Sequence, residues 1–339
     1  MSLDPVSKRV YAEEISPFLP DEIIDFHIHI GLPEHVSPIR PERLAGMWAM
    51  EIASSYSWQE MRDSFSLLFP DKKVSALAFG FPYQEVDLAA NNAYVLQGIK
   101  DPINQSFGLF LTSPDTSPDT ISQALSDGFI GIKPYPDLAP GGYGDVSIYD
   151  FLPNEHLKVL DEAGAVLVLH LPRKGRVADP DNIRELLEIY EKYPNVKIIV
   201  AHIGRAFCLP TAQIGLPQLT QATGLYYDFA ANLNADVLEY AIQTVGVEKI
   251  LYGSDLPITL MKGIREHVGD KYINYTSGPY SWNTNRKSPE IEAGYTYFLY
   301  EELKALITAA GKCGDAKEII NQITYRNAAG IIEGVVGKS

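Results

Sequence analysis

The sequence predicts one α/β domain built as a distorted (β/α)8 TIM barrel with elaborated first and last βα connections. Three observations carry this. Short apolar, β-rich runs alternate with longer runs of helical period; there are eight such runs; and several are continuously apolar, as strands covered on both faces must be. The runs are IIDFHIH (23–29), VSALAFGF (74–81), SFGLFLT (106–112), FIGIKPY (129–135), AVLVLHL (165–171), KIIVAHI (197–203), LYYDFAA (225–231) and KILYGSDL (249–256). Eight strands with intervening helices point to a closed parallel barrel rather than an open sheet.

The helices are best defined in the second half. Asp179-Pro180 places a capping carboxylate before a proline suited to the first turn, and Ile183, Leu186, Leu187 and Tyr190 then repeat on one face. Val237, Leu238, Ala241 and Val245 do the same before Gly246, and Leu157 and Leu160 precede Gly164. Residues 30–73 read as helical and strand-free, an elaborated first connection over the barrel mouth; 257–288, polar and aromatic, form a second. Helices follow at about 289–311 and 316–332, giving a single domain over 1–339 with a barrel core at about 22–333.

The 339 residues are long enough to bury a core without disulfide or metal staples. Cys208 and Cys313, far apart and in no CxxC pattern, exclude a disulfide scaffold and a cysteine zinc site. A formal charge of −15 argues against nucleic acid or an anionic membrane as partner. No apolar run reaches the roughly 18–20 residues of a membrane span, and no secretory h-region opens the chain. A soluble cytoplasmic enzyme is the expectation.

His27 and His29 lie two apart on the first strand, so both side chains leave one face at its C-terminal end. Two neutral imidazoles so placed begin a divalent metal site. His170 closes the fifth strand in LVLHLP, His202 the sixth in IVAHIG, and Asp255 the eighth in YGSDLP. Five polar residues thus end four strands on the face where barrel enzymes keep their sites. An aspartate after KILYGS is costly to bury without a cation or donors.

This set resembles the amidohydrolase superfamily. HIH, the single histidines of strands five and six, GSD at strand eight and the C-terminal NAAGII (Asn327 to Ile332) are most similar to its amidohydrolase-related branch, amidohydrolase 2, the aminocarboxymuconate-semialdehyde decarboxylase-like enzymes. The likeness runs from about residue 22 to 333, interrupted by the two elaborations. It implies one divalent metal ion, zinc first and manganese second, held by His27, His29, His170 and Asp255. His202 then polarises substrate or shuttles a proton, and Asp255 also accepts a proton from metal-activated water. Lys133, in GIKPYP on strand four, corresponds to the lysine whose carboxylated form bridges two metals in binuclear relatives. Here it is expected to meet substrate or an acid instead. The implied reaction is hydrolysis of a small carboxylated or lactone-type substrate, with non-oxidative decarboxylation of an unsaturated or aromatic acid as the alternative.

Local charge runs against global charge. Arg173, Lys174 and Arg176 follow His170, and Arg205 follows His202, which suggests capture of a small anionic substrate. Arg205, with Arg173 and Lys133, is the expected substrate-binding set. His35, His156, His267 and Cys208 lack partners in sequence and are read as structural or surface residues. The aromatic segment with Tyr272, Tyr275, Tyr280 and Trp282 reads either as a lid or as a subunit contact in a homo-oligomer.

Overall fold

The computed structural model describes residues 3–337 apart from 143 and 279. Eight parallel strands run in sequence order around a nearly closed TIM barrel. They are β1 (Glu22–His29), β2 (Lys73–Phe79), β3 (Phe107–Thr112), β4 (Gly131–Pro134), β5 (Val166–Leu169), β6 (Lys197–Val200), β7 (Tyr226–Asp228) and β8 (Ile250–Leu251). Each overlaps its expected run, β1 and β2 starting one residue before it, but β2, β4, β5, β6, β7 and β8 end early. The polar residues expected as the last strand positions lie just beyond the ladder, on backbone that turns across the mouth.

β8 is only two residues long, so the barrel seam closes through irregular chain. Phe26 N donates to Tyr252 O at 2.8 Å, Asp255 N to His27 O at 2.9 Å and His29 N to Leu256 O at 2.9 Å. The buried Asp25 carboxylate completes the join, accepting from the amides of His27 at 3.2 Å and Ser254 at 2.9 Å. These bonds bring the segment after β8 against the two histidines of β1.

Two apolar layers sandwich the strands. Ile24, Phe26, Leu77, Phe79, Leu109, Val166, Val168 and Ile199 share an inner cluster with Ala328, Ile331, Ile332 and Val335 of the C-terminal helix Asn327–Val336. The NAAGII motif therefore closes the barrel interior, with Asn327 Nδ2 donating to the carbonyls of Val247 and Ile250 at 2.8 and 2.7 Å. The outer cluster joins the strands to the surrounding helices and includes Ile23, Ile28 and Ile30 of the first strand region. Side-chain parity in β1 thus changes along its length. The register with β2 slips between Asp25 and Ile28, a bulge. Bulges re-aim side chains, and here one turns His27 and His29 toward the interior face that Ile24 and Phe26 occupy further back.

The expected helices form. Asp179 caps Pro180–Lys192 by accepting from Asp181 N and Asn182 N, and left-handed Gly164 ends Asn154–Ala163. The first elaboration is helical, with Pro41–Gly46, Trp48–Ile52 and Trp58–Leu68. The second contains an antiparallel hairpin, β9 (Gly263–Val268) and β10 (Lys271–Thr276), turning at Gly269 with φ +60°. The elaborations meet: Glu51 accepts from Ser281 N and Oγ at 2.8 and 2.6 Å, and the Trp48 and Trp282 rings lie 4.9 Å apart. No helix among the described residues is long and apolar enough to cross a membrane.

Candidate metal centre

A cavity of about 270 Å³ opens at the C-terminal end of the strands. Its lining includes His27, His29, His170, His202 and Asp255, so the five residues picked from strand ends do converge. Met47 and Trp48 of the first elaboration and Arg265 and Tyr272 of the hairpin wall it from outside.

Three histidines have their Nδ1 edges occupied by acceptors. His27 Nδ1 lies 3.0 Å from Asp228 Oδ2, His29 Nδ1 3.2 Å from Gly80 O, and His202 Nδ1 2.7 Å from Ala230 O. A carbonyl can only accept, and an ionised carboxylate likewise, so each Nδ1 carries the proton. That leaves each Nε2 with its lone pair, the tautomer a metal ligand needs. Two of these atoms face one oxygen: Asp255 Oδ1 is 3.3 Å from His29 Nε2 and 3.8 Å from His27 Nε2.

Donor atoms of His27, His29 and Asp255 lie within 4.8 Å of one another, as do those of His27, His202 and Asp228. The donor set therefore fits a divalent ion: imidazole nitrogens with fixed tautomers and a carboxylate beside them. Burial pushes the His27 imidazolium down to about 4 and also lowers His170, so both are neutral at physiological pH. His170 lines the same cavity, its ring 5.4 Å from that of His202 and 4.9 Å from Tyr135, but stands outside both compact groups.

Asp228 was not singled out from the sequence, although the signal was there: an aspartate ends β7 in LYYD as Asp255 follows β8. It is fully buried and uses both oxygens, Oδ2 on His27 and Oδ1 on the amides of His202 at 2.8 Å and Ala230 at 3.2 Å. It thus orients two histidines at once. Asp228→Asn presents an amide to His27 Nδ1 and favours the wrong tautomer. Metal affinity is expected to fall about 10–100-fold, read by competition with a chromophoric chelator; an unchanged affinity would show that this contact does not set the imidazole.

The arginines divide differently from expectation. Arg173 does not line the cavity: its guanidinium pairs with Glu185 at 2.7 and 3.0 Å and bonds Asn182 Oδ1, because Glu185 on the adjacent helix is buried and needs a partner. Arg205 does line it, with Nη1 donating to the carbonyls of Leu171, Pro172 and Arg173 at 3.1–3.4 Å. Arg176 and Arg265 line it too, and Arg265 had no sequence signal because the hairpin fold alone brings it in. Lys133 is fully buried, its Nζ 5.1 Å from the Phe79 ring centroid and 5.8 Å from that of Tyr135, with no hydrogen-bond partner among the described residues. His156 Nε2 bonds Thr116 O at 2.7 Å, His35 packs on Tyr94, and burial raises the Cys208 thiol, all consistent with structural roles.

Backbone strain concentrates here. Seven described non-glycine residues have clearly positive φ, and five of them, Arg176, His202, Arg205, Ala231 and Asp255, line this cavity. Each such conformation costs of order 1 kcal/mol or more and persists where a site over-determines it.

The amidohydrolase family model matches residues 24–272. The chain belongs to the amidohydrolase family. This family is metal-dependent, in accord with the donor set. A probable dihydroorotase of Schizosaccharomyces pombe (strain 972 / ATCC 24843) is 27% identical over 129 residues, 36% of this chain and 37% of that protein, so the chain spans little more than a third of that relative's length. Among solved structures, 5-carboxyvanillate decarboxylase of Novosphingobium aromaticivorans DSM 12444, complexed with manganese and 4-hydroxy-3-methoxy-5-nitrobenzoic acid, superposes with TM-score 0.57 at 13% identity, covering 92% of this chain and 96% of that one. A 2,6-dihydroxybenzoate decarboxylase complexed with 2,6-dihydroxybenzoate gives 0.56 at 13% identity, with 93% and 100% covered. A probable 2-pyrone-4,6-dicarboxylic acid hydrolase of Acinetobacter baumannii gives 0.55 at 14%, with 91% and 98% covered. At these identities the likeness is one of fold.

Proposed function

We propose that this amidohydrolase is a cytoplasmic metal-dependent hydrolase of a small carboxylated or lactone-type substrate. The observation that carries the reading is the set of three imidazoles whose Nδ1 edges are occupied and whose Nε2 edges are left toward the cavity, two of them against the Asp255 carboxylate. His27, His29, His170 and Asp255 are the proposed ligands. These residues would hold a divalent ion, zinc first and manganese second, which would lower the pKa of water and polarise a substrate oxygen.

The chain's own groups supply the rest. Asp255, whose Oδ1 lies against His29 and His27, accepts a proton from the attacking water. His202, with Nδ1 committed to Ala230 O, has Nε2 free to take up the proton that Asp255 receives and pass it to the leaving oxygen. Arg205 steadies an anionic group of the substrate, and the walls at Trp48 and Tyr272 limit access of bulk water. Decarboxylation stands as a second reading because Tyr135, Phe207, Tyr272 and Trp48 give the cavity aromatic walls suited to a planar acid.

Elemental analysis of protein purified without added metal is expected to find about one divalent ion per chain. A value near zero that does not rise on loading, with activity intact, would sink the reading, and a value near two would indicate carboxylated Lys133. Panels of lactones and of aromatic or unsaturated carboxylates, scored for acid against carbon dioxide release, separate hydrolysis from decarboxylation.

A further inference from the structure

Beyond His202 the cavity becomes cationic. Three arginines line it, Arg176, Arg205 and Arg265, against a single carboxylate, Asp255, in a chain whose net charge is −15. Neither Arg176 nor Arg265 makes an ion pair among the described residues, whereas Arg173 nearby is neutralised by Glu185. Two unpaired guanidiniums share the same pair of rings. Arg265 lies 4.5 Å from the Tyr272 centroid and 5.3 Å from Phe207; Arg176 lies 5.8 and 5.5 Å from those two. Phe207 in turn sits 6.1 Å from the His202 ring, so one aromatic ring separates the arginine pair from the histidines.

The Arg265 side chain and the Arg176 backbone are both held in place. Arg265 Nε donates to Asn274 Oδ1 at 2.8 Å, its directly opposite partner in the hairpin register, and Nη1 donates to Ala231 O at 2.7 Å. Nη2 makes no hydrogen bond among the described residues and is left for the cavity. Arg176 is fixed at φ +60° by the turn in which its amide donates to Arg173 O at 2.9 Å, while Asn182 Nδ2 donates to its carbonyl at 2.9 Å. The Arg173–Glu185 pair anchors that turn to the helix behind it. A left-handed non-glycine residue aimed into a cavity is the pattern of a functional rather than a structural constraint.

We propose that Arg176 and Arg265 form an anion subsite, remote from the metal ligands, that receives a second carboxylate of a dicarboxylate substrate. This deepens the hydrolase reading and rests on it only in placing the reacting group at the histidine end. Like charges placed together without a counter-ion are unfavourable until an anion arrives. Burial, with the charge of Arg176 adding to it, lowers the Arg265 pKa. Burial raises the carboxyl of Glu302, the buried acid that senses that charge, and so favours its neutral form over pairing with Arg265. Guanidiniums lying on aromatic faces keep their unused in-plane N–H groups for an anion, here Nη2 of Arg265 and the guanidinium of Arg176, between which the two oxygens of one carboxylate can be shared.

The test is calorimetric binding of isophthalate, benzoate and 3-carbamoylbenzoate to the metal-loaded enzyme and to enzyme stripped of metal. The variants are Arg176→Gln and Arg265→Gln, with the exposed Arg184→Gln as a charge control. Isophthalate is expected to bind at least about tenfold more tightly than its neutral isostere or benzoate. That preference should largely vanish in either cavity variant, persist in the control, and survive metal removal, while benzoate affinity and metal content stay the same. Equal affinity for the three probes, or a preference that persists in both cavity variants, would overturn the subsite. Failure to hydrolyse any ester or lactone with the preference intact would refute the catalytic reading and leave the subsite standing.

Discussion

His202→Ala is expected to cut turnover by roughly 10²–10⁴-fold, the range for loss of a positioned acid–base group, while metal per chain stays unchanged. His170→Ala is expected to lose both. The first half follows from how His202 is mounted. It sits two residues past β6 at φ 56°, its amide on Asp228, its Nδ1 on Ala230 O, its ring 4.8 Å from that of His27. That mounting aims Nε2 with little freedom, as a proton carrier requires. The same geometry makes the experiment a severe one, because His202 also belongs to a compact donor group with His27 and Asp228. If His202→Ala releases the metal to the extent that His170→Ala does, His202 is a ligand and the proposed division of tasks is wrong. Metal content by elemental analysis and kcat on the same samples decide it. The Asp228→Asn variant adds a control, since it should weaken metal binding through His27 while leaving both rings in place.

The parts of this site that could be read from the sequence are those set by strand period and strand ends. The HIH pair, His170, His202 and Asp255 are all polar residues closing apolar runs, and the barrel brings such positions together whatever the loops do. What escaped depends on departures from regular structure. Strand period alone puts His27 and His29 on one face of β1, yet not on the interior face used by Ile24 and Phe26; the bulge between Asp25 and Ile28 supplies that turn. Asp25 gave no hint of its task, which is to bond the amides on both sides of the seam. Charge near a strand end also misled for Arg173, since proximity in sequence could not show that buried Glu185, one helix away, would claim it. Arg265 lies ten residues beyond Asp255 and enters the cavity only because the hairpin folds back with Asn274 opposite it.

Lys133→Met is expected to make the protein more stable at neutral pH and less active. Lys133 sits on β4 opposite Leu111 of β3, wholly buried, with aromatic faces for neighbours and no hydrogen-bond acceptor for its Nζ among the described residues. Burial pushes its ammonium down to about 8 from about 10.5, against the pull of Asp228 and Asp255. The folded chain therefore gives up this proton near pH 8 and the unfolded chain only near 10.5. Between those values the unfolded state binds more protons, so stability rises with pH across that window, and the whole cost is present below it. The pKa difference of about 2.5 corresponds to roughly 3 kcal/mol. Methionine keeps much of the length, suits the Phe79 and Tyr135 faces and carries no charge. Urea unfolding should accordingly show a gain of roughly 3 kcal/mol at pH 7 that fades toward pH 10.5. A residue that weakens the fold in this way persists when the site uses it, and the proposed use is contact with an anionic substrate, so KM should rise as stability does. A loss of stability at pH 7, accompanied by loss of metal, would mean that Lys133 is not an uncompensated ammonium but part of the ligand set.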